Sequence, residues 1–336
     1  MPNEILTRAI DAVCRGEHLT ADHAAAVLEE IMHGRADDIE TAGFLVGLRA
    51  KGETVGEVAG LARTMRAMAA TVDCPRDDLV DTAGTGGGPS TFNISTAAAL
   101  VAAAAGCAVA KHGNRSATSR SGSADVLEQL GVPIDLDPAG VADSISEHGF
   151  GFMFAPRFHE AMKYVVPVRK ALAVRTAFNF LGPLTNPAGA KRQLLGVSDV
   201  RYQETIAEAL VQLGTEHALV VSGRDGLDEL AVHEPTRVIE VRDGGTSEWF
   251  ADPADYGFGG AGLADIAGGS PEENAATIHR VFDGAKGPAR DVVLLNAGAA
   301  IYVAGHADSL AEGVEAAAAA VDAGAAAELV STLSAG

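Results

Sequence analysis

The feature that most constrains this chain is a series of short apolar runs separated by segments of helical periodicity. The runs are Leu79-Val80, Cys107–Ala110, Gly151–Phe154, Leu194–Val197, Ala218–Val221 and Val292–Leu295. Helical segments such as Ser95–Ala105, Ala124–Leu130 and Tyr202–Leu213 lie between them. Strands that are apolar on both faces and alternate with helices specify a largely parallel sheet buried under helices. The start of the chain differs. Ile5, Leu6, Ala9, Ile10 and Val13 recur at helical spacing, and Thr20 can cap a helix carrying Ala24, Val27, Leu28 and Ile31 that Gly34 ends. Asp38 opens a third helix that reaches Ala50 and stops near Gly52, and Thr54-Val-Gly-Glu57 has the form of a capping box. Residues 167–187 are polar, proline-bounded and without strand character, which suits a hinge or an insertion of the helical part, and Leu310–Leu333 reads as one Ala-rich helix. The expected architecture is α/β: a small all-helical domain (1–70, joined by about 165–188) and a larger domain (71–336) around a central, mostly parallel sheet.

Composition narrows the function classes. A chain of 336 residues suggests roughly two domains. Aromatics are only 5%, so Ala, Val and Leu must fill the core. The net charge of −20 repels nucleic acid and anionic membranes, so an anionic substrate would need locally concentrated cations. Cys14, Cys74 and Cys107 are odd in number and form no C-x-x-C pair, which argues against a disulfide scaffold or zinc site and for a reducing cytoplasm. The first residues lack an apolar signal core, and the apolar stretch Thr96–Ala110, interrupted by Gly106, is shorter than the about 20 residues a membrane helix needs.

Two loops carry the chemistry. The first is Asp81-Thr-Ala-Gly84-Thr-Gly-Gly87-Gly88-Pro-Ser-Thr91-Phe-Asn93-Ile94-Ser95-Thr96. Its glycines let backbone N–H groups approach a ligand, and the helix start behind it attracts anions. It is neither a Walker loop nor a G-x-G-x-x-G fingerprint. A glycine-rich turn can be merely structural, but Asn93, Ser95 and Thr96 at the helix start favour a phosphate or pyrophosphate cradle. The second loop runs Lys111-His112-Gly113-Asn114-Arg115-Ser-Ala-Thr-Ser119-Arg-Ser-Gly-Ser123. It follows an apolar strand, where open α/β sheets bind ligands, and forms a basic island in an acidic chain. A solvated loop capped by Ser123 is the plainer alternative. Asp228-Glu229 offers hard oxygen ligands of the kind Mg²⁺ prefers, although an exposed acidic turn would look the same.

The second loop, through Ala-Asp-Val-Leu-Glu128, resembles the signature of the anthranilate phosphoribosyltransferases. The G-T-G-G…T-F-N-I-S-T segment, Arg175-Thr-Ala-Phe-Asn-Phe-Leu-Gly-Pro-Leu-Thr-Asn-Pro187 and Asp225-Gly-Leu-Asp228-Glu229 are similar to further motifs of the same family, and the likeness covers nearly the whole chain. The resemblance implies the nucleoside phosphorylase and class III phosphoribosyltransferase type of fold, with the active site between the domains and a homodimer through the helical one. It implies transfer of phosphoribosyl from phosphoribosyl pyrophosphate to anthranilate in tryptophan biosynthesis, with no nucleic-acid or membrane partner. Donor contacts are implied for Gly84, Gly87, Gly88, Thr91, Asn93, Ile94, Ser95, Thr96, Lys111, His112, Gly113, Asn114, Arg115, Ser119 and Ser123. Gly84, Asn114 and Arg169 would meet anthranilate, with His112 and His159 lining the same channel; Ser95 would ligate one Mg²⁺, and Asp228 with Glu229 a second. Lys111 would act electrostatically, and no general base is assigned.

The chain departs from the family pattern at Gly84-Thr-Gly-Gly-Gly88-Pro89-Ser-Thr91, where members commonly read G-T-G-G-D-G-x-x-T. It is one residue shorter there and lacks the Asp, which bears on metal or ribose contact, and Pro89 removes one backbone donor. His159-Glu-Ala-Met162 stands where members read H-P-A-M. Two other readings stay open: a pyrimidine nucleoside phosphorylase of the same fold, and a non-catalytic relative that binds nucleic acid.

Overall fold

In the computed structural model, residues 2–116 and 120–335 are described. Four helices open the chain: α1 (Glu4–Cys14), α2 (Ala21–Met32), α3 (Asp38–Lys51) and α4 (Val55–Ala67). Each start is satisfied by a side chain. Asn3 accepts from the Ile5 and Leu6 N–H groups, Thr20 from that of His23, and Asp37 and Thr54 form capping boxes with Glu40 and Glu57. One face of each helix is buried. Those faces share a core with Val165, Val168, Phe178, Leu181 and Leu184, so the segment that interrupts the α/β part packs with the helical bundle.

The remainder alternates strand and helix: β1 (Val80–Gly84), α5 (Ile94–Ala104), β2 (Val109–Gly113), α6 (Ser123–Gln129), α7 (Pro138–His148) and β3 (Phe150–Phe154). The interrupting segment supplies α8 (Ala155–Phe158), α9 (Val166–Leu172) and α10 (Phe178–Leu181). Then follow β4 (Arg192–Gly196), α11 (Gln203–Gln212), β5 (His217–Ser222), β6 (Thr236–Arg242), β7 (Gly245–Ala251), α12 (Pro271–Phe282), α13 (Pro288–Ala304), α14 (Leu310–Asp322) and α15 (Ala325–Ala335). The sheet runs β3-β2-β1-β4-β5-β6-β7; the first five of these strands are mutually parallel, and β6 and β7 close one edge as an antiparallel hairpin. The chain therefore leaves β1 to one side through β2 and β3, then returns to its other side with β4. Connections that diverge in this way open a crevice at the carboxyl ends of the two central strands. Gly84 and Gly196 stand opposite one another at that end.

Alanine is what lets the layers approach. Ala97–Ala102 on α5 are fully buried between the sheet and α13. The run Val292–Leu295, expected as a strand, lies inside α13 instead. This helix is buried on nearly every side, so its apolar run carries no helical stripe and looks like an interior strand; Pro288 at its start and Gly305 at its end are the signals that mark it as a helix and that the expectation of a strand passed over. The hairpin β6–β7 was not expected from the sequence. Its turn is Asp243-Gly244, with φ of 52° and 75°, the Asp-Gly signature of a tight hairpin. The single helix expected over Leu310–Leu333 is two, bent by 63° around Ala323-Gly324. Strand β2 also extends past Ala110 to include Lys111 and His112, which the sequence had placed in a loop. Among the described residues, no single helix is long and apolar enough to cross a membrane; the bent pair α14–α15 passes by length and composition only.

Where α13 crosses α14, a Cβ on Gly298 would stand 2.6 Å from the Val314 backbone nitrogen. Backbone cannot yield as a flexible side chain does. Gly298→Ala is therefore expected to destabilise the α/β part by about 1–3 kcal/mol, read as a lower melting temperature in calorimetry; an unchanged melt would show that the crossing can widen freely.

Candidate active site

The site grows from the carboxyl ends of β1, β2 and β4. Lys111 on β2 is 1% exposed. Its Nζ donates to the Thr82 carbonyl at 2.6 Å and Thr82 Oγ1 at 3.2 Å, and reaches Ser95 Oγ at 3.5 Å. Burial pushes the ammonium down to about 8, opposed by the charges of Asp81 and Glu229. Asp81, 0% exposed on β1, is pushed up to about 6 by burial, against the pull of Lys111. Its carboxylate accepts from Asn186 Nδ2 at 2.8 Å and from the His112 N–H at 3.2 Å. Asn186 also donates to the Ala110 carbonyl at 2.8 Å, so the end of the Arg175–Pro187 motif ties Asp81 of β1 to the residue of β2 before Lys111.

The glycine loop lies above. The Gly86 N–H donates to Asp228 Oδ2 at 2.7 Å, and the same carboxylate occupies the space where a Cβ of Gly84 would sit. Gly86 and Gly87 take φ of 64° and 83°, the left-handed region that side chains disfavour. A Cβ at Gly88 would collide with the Gly226 carbonyl, so the loop lies close against the turn that leads to Asp228. The loop is anchored on its far side by the Thr85 N–H to the Gly196 carbonyl at 2.9 Å, and by Ser198, whose Oγ donates to the Gly86 carbonyl at 2.7 Å. Downstream, Thr91 bridges Ala267, and the Gly268 N–H donates to the Ser90 carbonyl at 3.0 Å.

Asn93 precedes α5 but does not cap it. Its amide bonds Ser121 in both directions and accepts from Asn274 Nδ2 at 2.9 Å, knitting the glycine loop to the second loop and to α12. The uncapped start of α5, with Ser95 in its first turn, leaves its end of the helix dipole available to an anion. The side chains of Ile94 and Thr96 are fully buried, so Ile94 can offer only backbone. Ser123 opens α6 beside Gly113, where a Cβ would stand 3.0 Å from that of Ser123. Asn114 is held by its own neighbours: its Oδ1 accepts from the Arg115 N–H at 2.7 Å and its carbonyl from the Ala124 N–H at 3.2 Å. Arg115 pairs with Asp125 at 2.8 Å and Glu128 at 2.6 Å, and Arg120 lies 3.7 Å from Glu273. Two of the three cations in the second loop are thus balanced by acids, and Lys111 is the one turned into the site. Thr118 and Ser119 lie outside the described residues.

Asp228 and Glu229 share this end of the sheet. Burial raises both carboxyl groups, Glu229 well above its ordinary value. The Gly86 N–H and Arg175 oppose that rise in Asp228; the neighbouring Asp228 adds to it in Glu229, while Lys111 opposes it. Glu229 Oε2 is buried with no hydrogen-bond partner. Adjacent half-buried carboxylates, one with an orphaned oxygen, fit a divalent cation that would neutralise both.

Arg169, on α9, lies 5.6 Å over the Phe178 ring, and burial lowers its guanidinium pKa. Among the described residues no hydrogen bond or ion pair joins it to Asn114 or to the glycine loop. The His112 and His159 rings lie 5.1 Å apart, tilted by 53°, and burial pushes them down to about 3 and about 4, so both are neutral near pH 7. Sequence reasoning had left Thr82, Asp81, Asn186 and Ser198 without roles. The first three stand within the quoted motifs, whereas Ser198 had no local signal.

Two family models match, the glycosyl transferase family a/b domain over residues 76–327 and its helical bundle domain over residues 7–69. An anthranilate phosphoribosyltransferase of Thioalkalivibrio sulfidiphilus is 52% identical over 98% of this chain and 97% of its own. The crystal structure of anthranilate phosphoribosyltransferase from Thermus thermophilus superposes with a TM-score of 0.92 at 46% identity, covering 97% of this chain and 98% of that one. The Saccharomyces cerevisiae anthranilate phosphoribosyltransferase in complex with PRPP and Mg gives a TM-score of 0.89 at 26% identity, over 97% and 96% of the two chains. With its motifs, its sheet order and these full-length likenesses in agreement, the chain belongs to the anthranilate phosphoribosyltransferases of this glycosyl transferase family.

Proposed function

We propose that this chain joins anthranilate to the phosphoribosyl group of phosphoribosyl pyrophosphate, releasing pyrophosphate, as a step of tryptophan biosynthesis. The observation that carries the reading is Lys111. It is a buried ammonium turned toward Ser95 at an uncapped helix start, with Asp228 and Glu229 at the same strand ends. A cation and backbone donors prearranged around one point suit a leaving diphosphate. The nucleoside phosphorylase and nucleic-acid readings gain no support from full-length relatives named for another activity.

The donor would lie along Gly84, Gly87, Gly88, Thr91 and Asn93–Thr96, beside Lys111–Arg115, Ser119 and Ser123. The Gly86–Asp228 bond holds the glycine loop against the acidic turn, and Asn93 fixes the start of α5 relative to the second loop. Ser95, Asp228 and Glu229 would hold Mg²⁺, two ions in all, and the metal would supply charge neutralisation to the diphosphate. Yeast enzyme structures named for bound Mg support the use of that metal. Anthranilate would place its carboxylate on Arg169, whose half-buried guanidinium has no acid partner among the described residues, with Gly84 and Asn114 beside it and neutral His112 and His159 lining the approach. The arylamine is uncharged at neutral pH, so it can attack the anomeric carbon without prior deprotonation, and positioning dominates the acceleration.

The helical part, residues 1–70 with about 165–188, would pair with a second copy. Ile39 and Val46, seven residues apart on α3, are 82% and 44% exposed, and Val166 on the adjoining α9 is 51% exposed. Free Cys14, Cys74 and Cys107 suit a reducing cytoplasm.

Purified protein given anthranilate, phosphoribosyl pyrophosphate and Mg²⁺ should consume the fluorescence of anthranilate; persistence of the signal in all conditions would defeat the reading. Lys111→Ala should keep the fold and lower turnover by roughly a hundredfold or more. In wild type kcat/KM should fall as pH rises through about 8, where the Lys111 ammonium loses its proton. The fall should move to higher pH in Lys111→Arg, since guanidinium stays charged there. Light scattering should give twice the chain mass, and Ile39→Asp should shift it toward one.

A further inference from the structure

The cation in closest contact with the glycine loop is one that no motif argument gave a role. Arg175 Nη2 donates to the Gly86 carbonyl at 3.3 Å and to Ser198 Oγ at 3.1 Å. Its Nη1 fills the space beside Gly87, where a Cβ would stand 2.6 Å away. The Gly86 carbonyl is thus held from one side by Arg175 and Ser198, while the Gly86 N–H is held from the other by Asp228. That double hold fixes the peptide planes of the loop.

Among the described residues Arg175 makes no ion pair within 4.0 Å, and its charge acts at longer range on Asp228 and Asp199. Residue 88 is glycine, so the loop itself presents no acid to the guanidinium. The backbone delivers Arg175 at some cost. Ala173, which ends α9, takes the left-handed conformation at φ 50°, which glycine usually occupies. Strain of this kind persists where surrounding contacts require the turn, and the Arg175 carbonyl is one such contact, since it accepts from the guanidinium of Arg49 on α3.

We infer that Arg175 is a positioning residue for the phosphoribosyl donor: it turns the Gly86 carbonyl away from the diphosphate and so presents the loop amides to it. The inference rests on the reaction proposed above. A neutral side chain at 175 would leave the Gly86 carbonyl held by Ser198 alone, with its Oγ no longer fixed by the guanidinium, and so freer to turn toward the anion, where its partial negative charge opposes binding. Loss of that hold should appear as weakened donor binding, with the acceptor and the chemical step much less affected.

The experiment compares wild type, Arg175→Lys, Arg175→Gln and Arg175→Ala in steady-state kinetics with each substrate varied. Calorimetric titration of inorganic pyrophosphate with Mg²⁺ and a thermal melt accompany it. The expected result is a KM for phosphoribosyl pyrophosphate raised roughly tenfold to a hundredfold in Arg175→Gln and Arg175→Ala, with parallel weakening of pyrophosphate. KM for anthranilate and kcat should move far less. Arg175→Lys should recover only part of the loss, because an ammonium lacks the fork that meets a carbonyl and a hydroxyl together. Added guanidinium ion at millimolar concentration should partly restore donor binding to Arg175→Ala. Unchanged donor KM in folded variants would overturn the inference, as would equal losses for both substrates that follow a lowered melting temperature. An inactive wild type would defeat the functional reading itself, and pyrophosphate titration would still test Arg175 separately.

Discussion

The molecule is organised around a buried charge. Lys111, in the middle of the parallel strand β2, is 1% exposed, and its ammonium keeps three oxygens as partners: the Thr82 carbonyl, Thr82 Oγ1 and, more distantly, Ser95 Oγ. Such a group is costly unless neighbours are placed to meet it. The charges that oppose its loss of a proton are Asp81 on the adjacent strand and Glu229, and Asp81 also bonds Asn186 and the His112 N–H, contacts that hold β1 against β2. The same contacts that make the cation tolerable therefore build the floor of the site.

Around that floor the acidic character of the chain becomes intelligible. Arg115 and Arg120 are balanced by acids of α6 and α12, so their charge does not compete with Lys111 for an anion. Asp228 and Glu229, by contrast, are adjacent and half-buried, an arrangement that raises both carboxyl pKa values, and Glu229 keeps an unbonded oxygen. A divalent cation would relieve that frustration. In the proposed arrangement Lys111 would face the diphosphate and the carboxylates a metal, and the glycine loop, clamped by Asp228 on one side and by Ser198 and Arg175 on the other, would lie between them.

Much of this was legible in the residues. The four opening helices, five of the seven strands and the strand-to-loop position of the glycine turn follow from periodicity and capping. Val292–Leu295 misled because a helix buried on all sides has no polar stripe to mark its period. The hairpin β6–β7 was missed although Asp243-Gly244 marks its turn, because its strands mix charged and apolar residues and β7 is largely exposed. In the site, the glycine loop, Lys111 and the Asp228-Glu229 pair were visible as motifs. That Lys111 is buried on a strand, that Arg115 is spent on Asp125 and Glu128, and that Ser198 and Arg175 clamp the loop depend on distances between residues far apart in sequence.

The sequence by itself determined the alternation of strand and helix, the glycines that a left-handed loop needs and the identities of the chemical groups, because backbone sterics, hydrophobic period and side-chain chemistry are local properties. Only the tertiary structure decided which of those groups face one another. The order β3-β2-β1-β4 brings Gly84 level with Gly196, sets Lys111 beside Thr82 and folds the turn of Asp228 over Gly84. Charge, burial and hydrogen bonding act over a few ångströms through space, and no spacing along the chain encodes that proximity.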